Sequence, residues 1–231
     1  MLVSDLGLPR RCADPFLNPT TGIESAFRKS RQPRPESLQR VMDAMGTFLL
    51  SSSAATMARF EGAAVVHLLQ KRGAAPGRTG GANTSFLLRA ECAQAIERLA
   101  STSDDGQLLA HGLNDLLDDL VWYRGRSGPY ASANFEREHA HAILAGPGGI
   151  EERSDLRIGL TVMGPYTRFP DHEQTDSRVV LALSEGEFQS DGSCWFRERI
   201  GSSLFFPPGR LFAMRCTESP LLTLWCQRLR A

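Results

Sequence analysis

The C-terminal half of this chain consists of short apolar segments separated by turn residues, and this pattern constrains the fold more than any other feature. From residue 126 onward, β-branched and aromatic stretches alternate with clusters of Gly, Pro, Asp and Ser. Many short strands with regular turn signals are typical of an antiparallel sandwich or barrel. The predicted strands are residues 139–144, 156–163, 178–183, 194–199, 203–206, 211–216 and 221–226.

The preceding part of the chain has the periodicity of helices. Apolar residues recur at three- and four-residue spacing from Leu38 to Leu49. Further helices are predicted over residues 54–71, 86–99 and 106–122, with a loop over 73–85. Residues 1–35 show no periodicity. The chain therefore divides into an irregular N-terminal arm (1–35), a helical region (36–125) and a β-barrel (126–231), an α+β fold.

The amino-acid composition of the chain argues against some classes of function. The formal net charge is zero, which argues against a general nucleic-acid binder or a protein of anionic membranes. No apolar run is long enough to span a bilayer, and the first residues lack a signal-peptide core, so a cytoplasmic location is expected. The five cysteines form no CxxC pair. They predict reduced thiols that are mostly buried, with Cys194, Cys216 and Cys226 in the core.

Two segments carry a paired motif. Gly201 is followed after five residues by Pro207-Pro208-Gly209 and then by Arg210, Leu211 and Phe212. The earlier segment, PDHEQTDSRVVLALSEGE (170–187), contains one histidine, a strand pattern and a Gly turn. Their spacing and order resemble the two signature motifs of the cupin superfamily. A cupin-type barrel, a double-stranded β-helix or jelly roll, is therefore expected.

The wider series LDDLVWYRGR, FEREHAHAILAGPGGI, LRIGLTVMGPYTRFPDHEQ and FFPPGRLFAMRCTESPLLTLW resembles the dimethylsulfoniopropionate (DMSP) lyase family of cupins. The resemblance covers residues 105–228, and residues 36–104 only in their helical character. It implies cleavage of DMSP to dimethyl sulfide and acrylate, with a divalent metal in the barrel and a Tyr as base. It also implies a homodimer.

The site positions depart from that family pattern. The His-x-His pair has become His172-Glu173-Gln174, the motif carboxylate has become Arg178, and the second-motif histidine has become Phe212. Val180 stands where the lyases have their Tyr. Phenylalanine offers no lone pair, and a guanidinium repels a cation. No cupin-type metal and no other cofactor is therefore expected.

Two other kinds of binding site could take the place of the family's metal site. Arg178, Val180 and Ala182 alternate onto one strand face, and if that face points inward Arg178 can bind a carboxylate. Alternatively, Arg178 pairs with Asp176 or Glu173 at the rim. A displaced metal site for Zn, Fe or Mn would use His139, His141 and His172. Alternatively, these three residues are surface or hydrogen-bonded histidines that bind no metal.

Aromatic residues complete the candidate pocket. Trp122 and Tyr166, with Tyr123 and Tyr130, either line the barrel mouth or cap the contact between helices and barrel, and Arg126 and Arg168 raise the same two alternatives. The pocket-binding candidates are His172, Gln174, Arg178, Val180, Phe212, Tyr166 and Trp122.

Three functions compete. The first is a DMSP lyase-like protein that lacks the metal site, is catalytically degenerate or binds a small anionic metabolite. The second is an active lyase with rearranged metal ligands. The third is a non-enzymatic structural or interaction protein.

Overall fold

A computed structural model describes residues 34–74 and 88–229 of the chain. Residues 1–33 of the predicted arm and most of the predicted loop over 73–85 lie outside the described residues. Within the described residues, four helices precede ten strands. Their bounds are α1 Glu36–Leu50, α2 Thr56–Leu69, α3 Arg89–Ala100, α4 Asp104–Leu116, β1 Trp122–Tyr123, β2 His139–Ala145, β3 Leu156–Met163, β4 His172–Glu173, β5 Arg178–Ala182, β6 Gly186–Ser190, β7 Phe196–Glu198, β8 Ser203–Phe206, β9 Leu211–Arg215 and β10 Leu221–Arg228.

The strands form two antiparallel sheets. The larger has the order β1-β2-β3-β10-β5-β8, and the smaller has the order β4-β9-β6-β7. The inner faces of the two sheets share one apolar cluster, which includes Val180 and Trp225 from the larger sheet and Phe188, Phe212 and Met214 from the smaller. This arrangement is the expected cupin-type barrel, preceded by a helical region.

The helices pack against the outer face of the larger sheet. Alternate residues of β3 and β10, such as Leu160 and Leu224, join the buried faces of all four helices in one continuous core. Each helix contributes an apolar stripe, because residues three and four apart lie on one side of a helix. The helical region and the barrel therefore share a core. Among the described helices, none combines the length and the apolarity that a membrane crossing requires.

A buried ion cluster also joins the two regions. Glu151, in the connection between β2 and β3, contacts the guanidinium groups of Arg34 and Arg153. The Gly73 N–H donates to Glu151 Oε1 at 2.6 Å. Arg153 Nη2 donates to the carbonyl of Leu68 at 2.9 Å, near the end of α2. This cluster ties the C-terminal end of α2 to the barrel.

Two sequence predictions need correction. The fourth helix ends at Leu116 and not at residue 122, because Trp122 and Tyr123 form an edge strand that pairs with Ala142 and His141. The leucine stripe continues past the helix, but pairing with β2 overrides it. The strand predicted over 194–199 is confined to Phe196–Glu198, and Cys194 is exposed instead of lying in the core.

Candidate functional site

The interior of the barrel holds the three histidines of the sequence analysis in a continuous series of ring contacts. His139 stacks on Phe135, with ring centroids 3.7 Å apart, and lies 5.2 Å from His141. Phe169 contacts His141 at 5.8 Å and His172 at 5.0 Å. All three histidines are buried. They are core residues of the barrel with hydrogen-bond partners, so they are hydrogen-bonded histidines and not surface ones.

Both ring nitrogens of His139 are held by the backbone. The Gly125 N–H donates to Nε2 at 2.7 Å, and Nδ1 contacts the carbonyl oxygen of Phe135. Nδ1 must therefore carry the proton, because a carbonyl only accepts. Burial lowers the pKa of His139 to about 4. A metal could bind this imidazole only by displacing one of these backbone partners.

His141 belongs to a polar group on the inner face of β2, β3 and β10. Its Nδ1 lies 2.8 Å from Thr161 Oγ1, which also accepts a hydrogen bond from Trp225 Nε1 at 3.1 Å. Burial, followed by electrostatic interactions with His139, Arg178 and His172, holds the pKa of His141 well below its usual value. The imidazole therefore stays neutral, and Arg178 lies within electrostatic range of it.

His172 faces the residue that replaces the second-motif histidine. His172 pairs with Phe212 between β4 and β9, and their ring centroids are 5.2 Å apart. Its Nδ1 lies 3.2 Å from the carbonyl oxygen of Pro170. The Phe169 ring contacts both His172 and His141, and Phe212 supplies no lone pair.

The residues present do not fit a cupin-type metal. Across residues 34–74 and 88–229, no three His, Cys, Asp or Glu side chains are grouped closely enough to hold a metal ion. His139, His141 and His172 lie in one series of ring contacts, but both ring nitrogens of His139 already have backbone partners. The chemistry available in the barrel is hydrogen bonding by imidazoles and binding by a cation.

That cation is Arg178, which lies on the inner face of β5. Its Nε and Nη2 donate to Gln227 Oε1 at 2.9 and 2.7 Å. The guanidinium carbon lies 4.8 Å from the centre of the Trp225 ring. Arg178 is fully buried. Its burial agrees with the inward alternative, in which the side chain places a positive charge inside the barrel.

Two other pocket candidates lie beside Arg178. Gln174 Nε2 donates to the carbonyl oxygen of Phe206 at 3.2 Å, and Phe206 pairs with Arg178 across β8 and β5. Val180 is the next inward residue of β5 and pairs with Trp225. The structure therefore brings Gln174, Arg178 and Val180 together.

The family model for DMSP lyases matches residues 84–223, which is more than half of the chain. The chain belongs to the DMSP lyase family. The resemblance to this family that was drawn from the wider series of segments over residues 105–228 is thereby confirmed.

Solved structures support the same fold. The DMSP lyase DddQ from Ruegeria pomeroyi DSS-3 is 20% identical, with a TM-score of 0.62; the match covers 83% of this chain and 91% of that one. A structure from a study of the DMSP lyases RdDddP and RnDddQII is 19% identical, with a TM-score of 0.59, covering 83% and 92%. No curated protein matches the chain.

The aromatic residues that were predicted to line the pocket of this family member lie in three different places. Trp122 packs against the core shared by helices and barrel, as a cap of that contact. Tyr123 packs on the barrel interior, 5.5 Å from His141. Tyr130 and Tyr166 are 76% and 68% exposed, so neither is part of the buried cluster.

The two arginines near the predicted mouth also lie outside the interior. Arg168 pairs with Asp171 at 2.6 Å and lies over the rings of Tyr130 and Trp195. Arg126 is exposed.

Sequence reasoning missed the polar residues of β3 and β10 that organise the interior. Thr161, Trp225 and Gln227 contact His141 or Arg178 directly or through one hydrogen bond. A signal was present: Thr223, Trp225 and Gln227 alternate with apolar residues in the last strand. That alternation places polar groups on the inner face of a strand that is buried on both sides.

Proposed function

We propose that this member of the DMSP lyase family binds a small carboxylate through Arg178 and does not carry out metal-dependent cleavage of DMSP. The observation that carries the proposal is the fully buried guanidinium of Arg178 inside the barrel, at the position of the motif carboxylate.

Charge argues against a divalent metal at this place. A ligand carboxylate would have stabilised the ion, whereas a guanidinium repels it. Two unit charges at 4 Å repel by about 4 kcal/mol at an effective dielectric constant near 20, and a divalent ion about doubles that. Phe212 removes a further ligand, and His139 is committed to the backbone.

The base of the lyase reaction is also missing from its expected position. Val180 is buried against Trp225 and has no group that could accept a proton. His141 is held neutral, with one nitrogen near Thr161 Oγ1. The lyase reaction removes the proton next to the substrate carboxylate. It would have to do so here without a metal as Lewis acid and without a Tyr as general base.

Arg178 is suited to a carboxylate. Its Nε and Nη2 form one edge of the guanidinium, and both now donate to the same amide oxygen of Gln227. A carboxylate accepts two parallel bonds from that edge and is a stronger acceptor than an amide. A bound carboxylate would therefore replace Gln227 Oε1.

The test combines three measurements on the full chain. We expect elemental mass spectrometry of untagged protein, expressed with added Zn, Fe and Mn, to find no stoichiometric metal. We expect no release of dimethyl sulfide from DMSP above that of buffer with free metal. We also expect calorimetric binding of propionate that Arg178→Lys weakens by about tenfold, because lysine keeps the charge and loses the paired donors.

Each alternative function has its own outcome. Stoichiometric metal together with dimethyl sulfide release would show an active lyase with rearranged ligands and would refute the proposal. Absence of metal, of lyase activity and of carboxylate binding would favour the structural or interaction protein. The close packing of Trp225 and the phenylalanine rings inside the barrel favours that reading over an active lyase.

We further propose that the protein is a cytoplasmic homodimer. The homodimer follows from the family likeness, and a reducing compartment agrees with thiols that are buried at Cys92, Cys216 and Cys226. Light scattering after size-exclusion chromatography would give the mass of the assembly, and a single monomeric peak would refute the dimer.

A further inference from the structure

Three polar residues lie side by side on one rung of the larger sheet. Gln227 of β10 pairs with Arg157 of β3 on one side and with Arg178 of β5 on the other. Neighbouring strands are about 5 Å apart, so the Cα atoms of the two arginines are separated by about 10 Å.

The side chains of this rung point into the barrel. Along β3, Leu156, Ile158 and Leu160 pack in the core shared with the helices, which leaves Arg157 on the opposite, inner face. The next inward residue on that face, Gly159, lies against the ring of Trp225. Gln227 contacts Arg178 directly on the same face.

Arg157 differs from Arg178 in its surroundings. Its Nε is shielded from solvent and has no hydrogen-bond partner among the residues that the structure describes. The residue as a whole is partly exposed, and the strand β10 ends one residue beyond Gln227. The rung therefore lies at the end of the sheet, with one guanidinium buried and the other accessible to solvent.

We infer that this rung binds a small dicarboxylate, with one carboxylate on Arg178 and the other on Arg157. The inference rests on the proposed carboxylate site at Arg178 and extends it to a second cation. A dianion matches the two cations of this rung, whereas a monoanion engages only one of them. Gln227, between them, can release Arg178 to the ligand and still donate its own amide N–H.

The geometry favours two separated carboxylates over a compact dianion. The two arginines flank Gln227 from different strands, so a ligand that contacts both must span two separated cationic groups. The two parallel N–H donors of each guanidinium match one carboxylate. A sulfate or phosphate presents all its oxygens around one atom, so it would engage the donors of one guanidinium and leave those of the other without the ligand.

The test measures succinate, propionate and sulfate binding to the full chain by calorimetry in low-chloride buffer. We expect succinate to bind at least about tenfold more tightly than propionate. In Arg157→Gln, succinate binding should fall to the level of propionate, while propionate binding stays nearly unchanged. The matched control is Arg197→Gln, which removes the same charge from an exposed pair with Glu185 on the other sheet. It should leave all three affinities unchanged.

The outcomes separate the inference from the function on which it rests. Propionate binding that depends on Arg178 without any preference for succinate would overturn the inference alone. So would a succinate preference that survives in Arg157→Gln, or sulfate that binds as tightly as succinate. Absence of binding by any of the three anions would overturn the proposed function as well. Thermal unfolding of each variant shows whether a loss of binding is due to misfolding.

Discussion

Trp225 lies so close to Gly159 that a Cβ atom at Gly159 would be 2.4 Å from the indole Cζ2. The same Cβ would be 2.7 Å from the carbonyl oxygen of Ala142 on the other neighbouring strand. The indole therefore fills the middle of the barrel because β3 has no side chain at this position. This packing occupies the centre of the larger sheet's inner face.

Gly159→Ala should destabilise the protein, because the added Cβ atom would clash with the Trp225 ring and the Ala142 backbone, and moving either one costs free energy. Overpacking of this kind costs about 1–3 kcal/mol of the free energy of unfolding, measured by urea denaturation. The control is Gly46→Ala in α1, where the added Cβ would lie 3.5 Å from Val66, an ordinary contact. That change should be neutral or stabilising by up to about 1 kcal/mol. Equal stability of the two variants would contradict the packing argument.

The buried histidines should make the fold sensitive to acid. The folded-state pKa of His139 is about 4, below its ordinary value of 6.5. As pH falls from about 6.5 to about 4, the unfolded chain therefore takes up a proton that the folded chain does not. Stability present above pH 6.5 is lost across this window, with a slope of up to about 1.4 kcal/mol per pH unit for one group.

His139→Gln tests this assignment, because glutamine can accept from Gly125 and donate to Phe135 without titrating. The unfolding free energy of this variant, measured between pH 4 and pH 7, should depend less on pH than that of the wild type. The control is His111→Gln, at an exposed position beside Asp115, which should keep the wild-type slope. A wild-type slope in the His139 variant would assign the acid sensitivity to other groups.

Glu151 should be the most sensitive carboxylate at the contact between helices and barrel. Its replacement by Gln leaves Arg34 and Arg153 buried without their shared counter-charge. Loss of one partner from a buried ion pair costs about 3–5 kcal/mol. Asp118→Asn, in an exposed pair with Arg89, should change stability by less than about 1 kcal/mol. Urea unfolding curves measure both, and similar costs would show that burial does not matter here.

Restoring the family's ligands should restore metal binding only when the charge of Arg178 is removed. Phe212→His alone returns a ligand opposite His172 but leaves the guanidinium in place. We expect stoichiometric zinc only in the double variant Phe212→His, Arg178→Glu, measured by elemental mass spectrometry after dialysis. Equal zinc content in the single and double variants would show that the positive charge does not exclude the metal.

The cysteines should differ in reactivity according to burial. Burial raises the pKa of both Cys92 and Cys226 to about 12, so their thiolates are scarce near pH 8. Cys194 is exposed. Among the described cysteines, it should be alkylated first by iodoacetamide, as read by peptide mass spectrometry of the folded protein. Comparable labelling of Cys226 in folded protein would contradict the buried position in β10.

Much of this structure follows from local sequence pattern. Alternation and turn residues predicted β3 and β8 with the bounds that the structure shows. The paired motifs predicted the barrel, and the wider series of segments predicted the family. The predictions failed where pairing between distant residues decides the conformation. The leucine stripe before Trp122 is helical by periodicity, but the edge of β2 draws Trp122 and Tyr123 into a strand.

The sequence by itself determined which side chains stand at the positions that the motif resemblance assigns to the metal ligands and the base. A phenylalanine at 212, an arginine at 178 and a valine at 180 carry their properties wherever the chain places them. Only the tertiary structure decided which residues surround them, because side-chain direction and register depend on strands far apart in the chain. The pairing of β10 with both β3 and β5 places Gln227 between two arginines and Trp225 over Gly159. No local pattern specifies that pairing, since it is set by burial of both faces of one sheet at once.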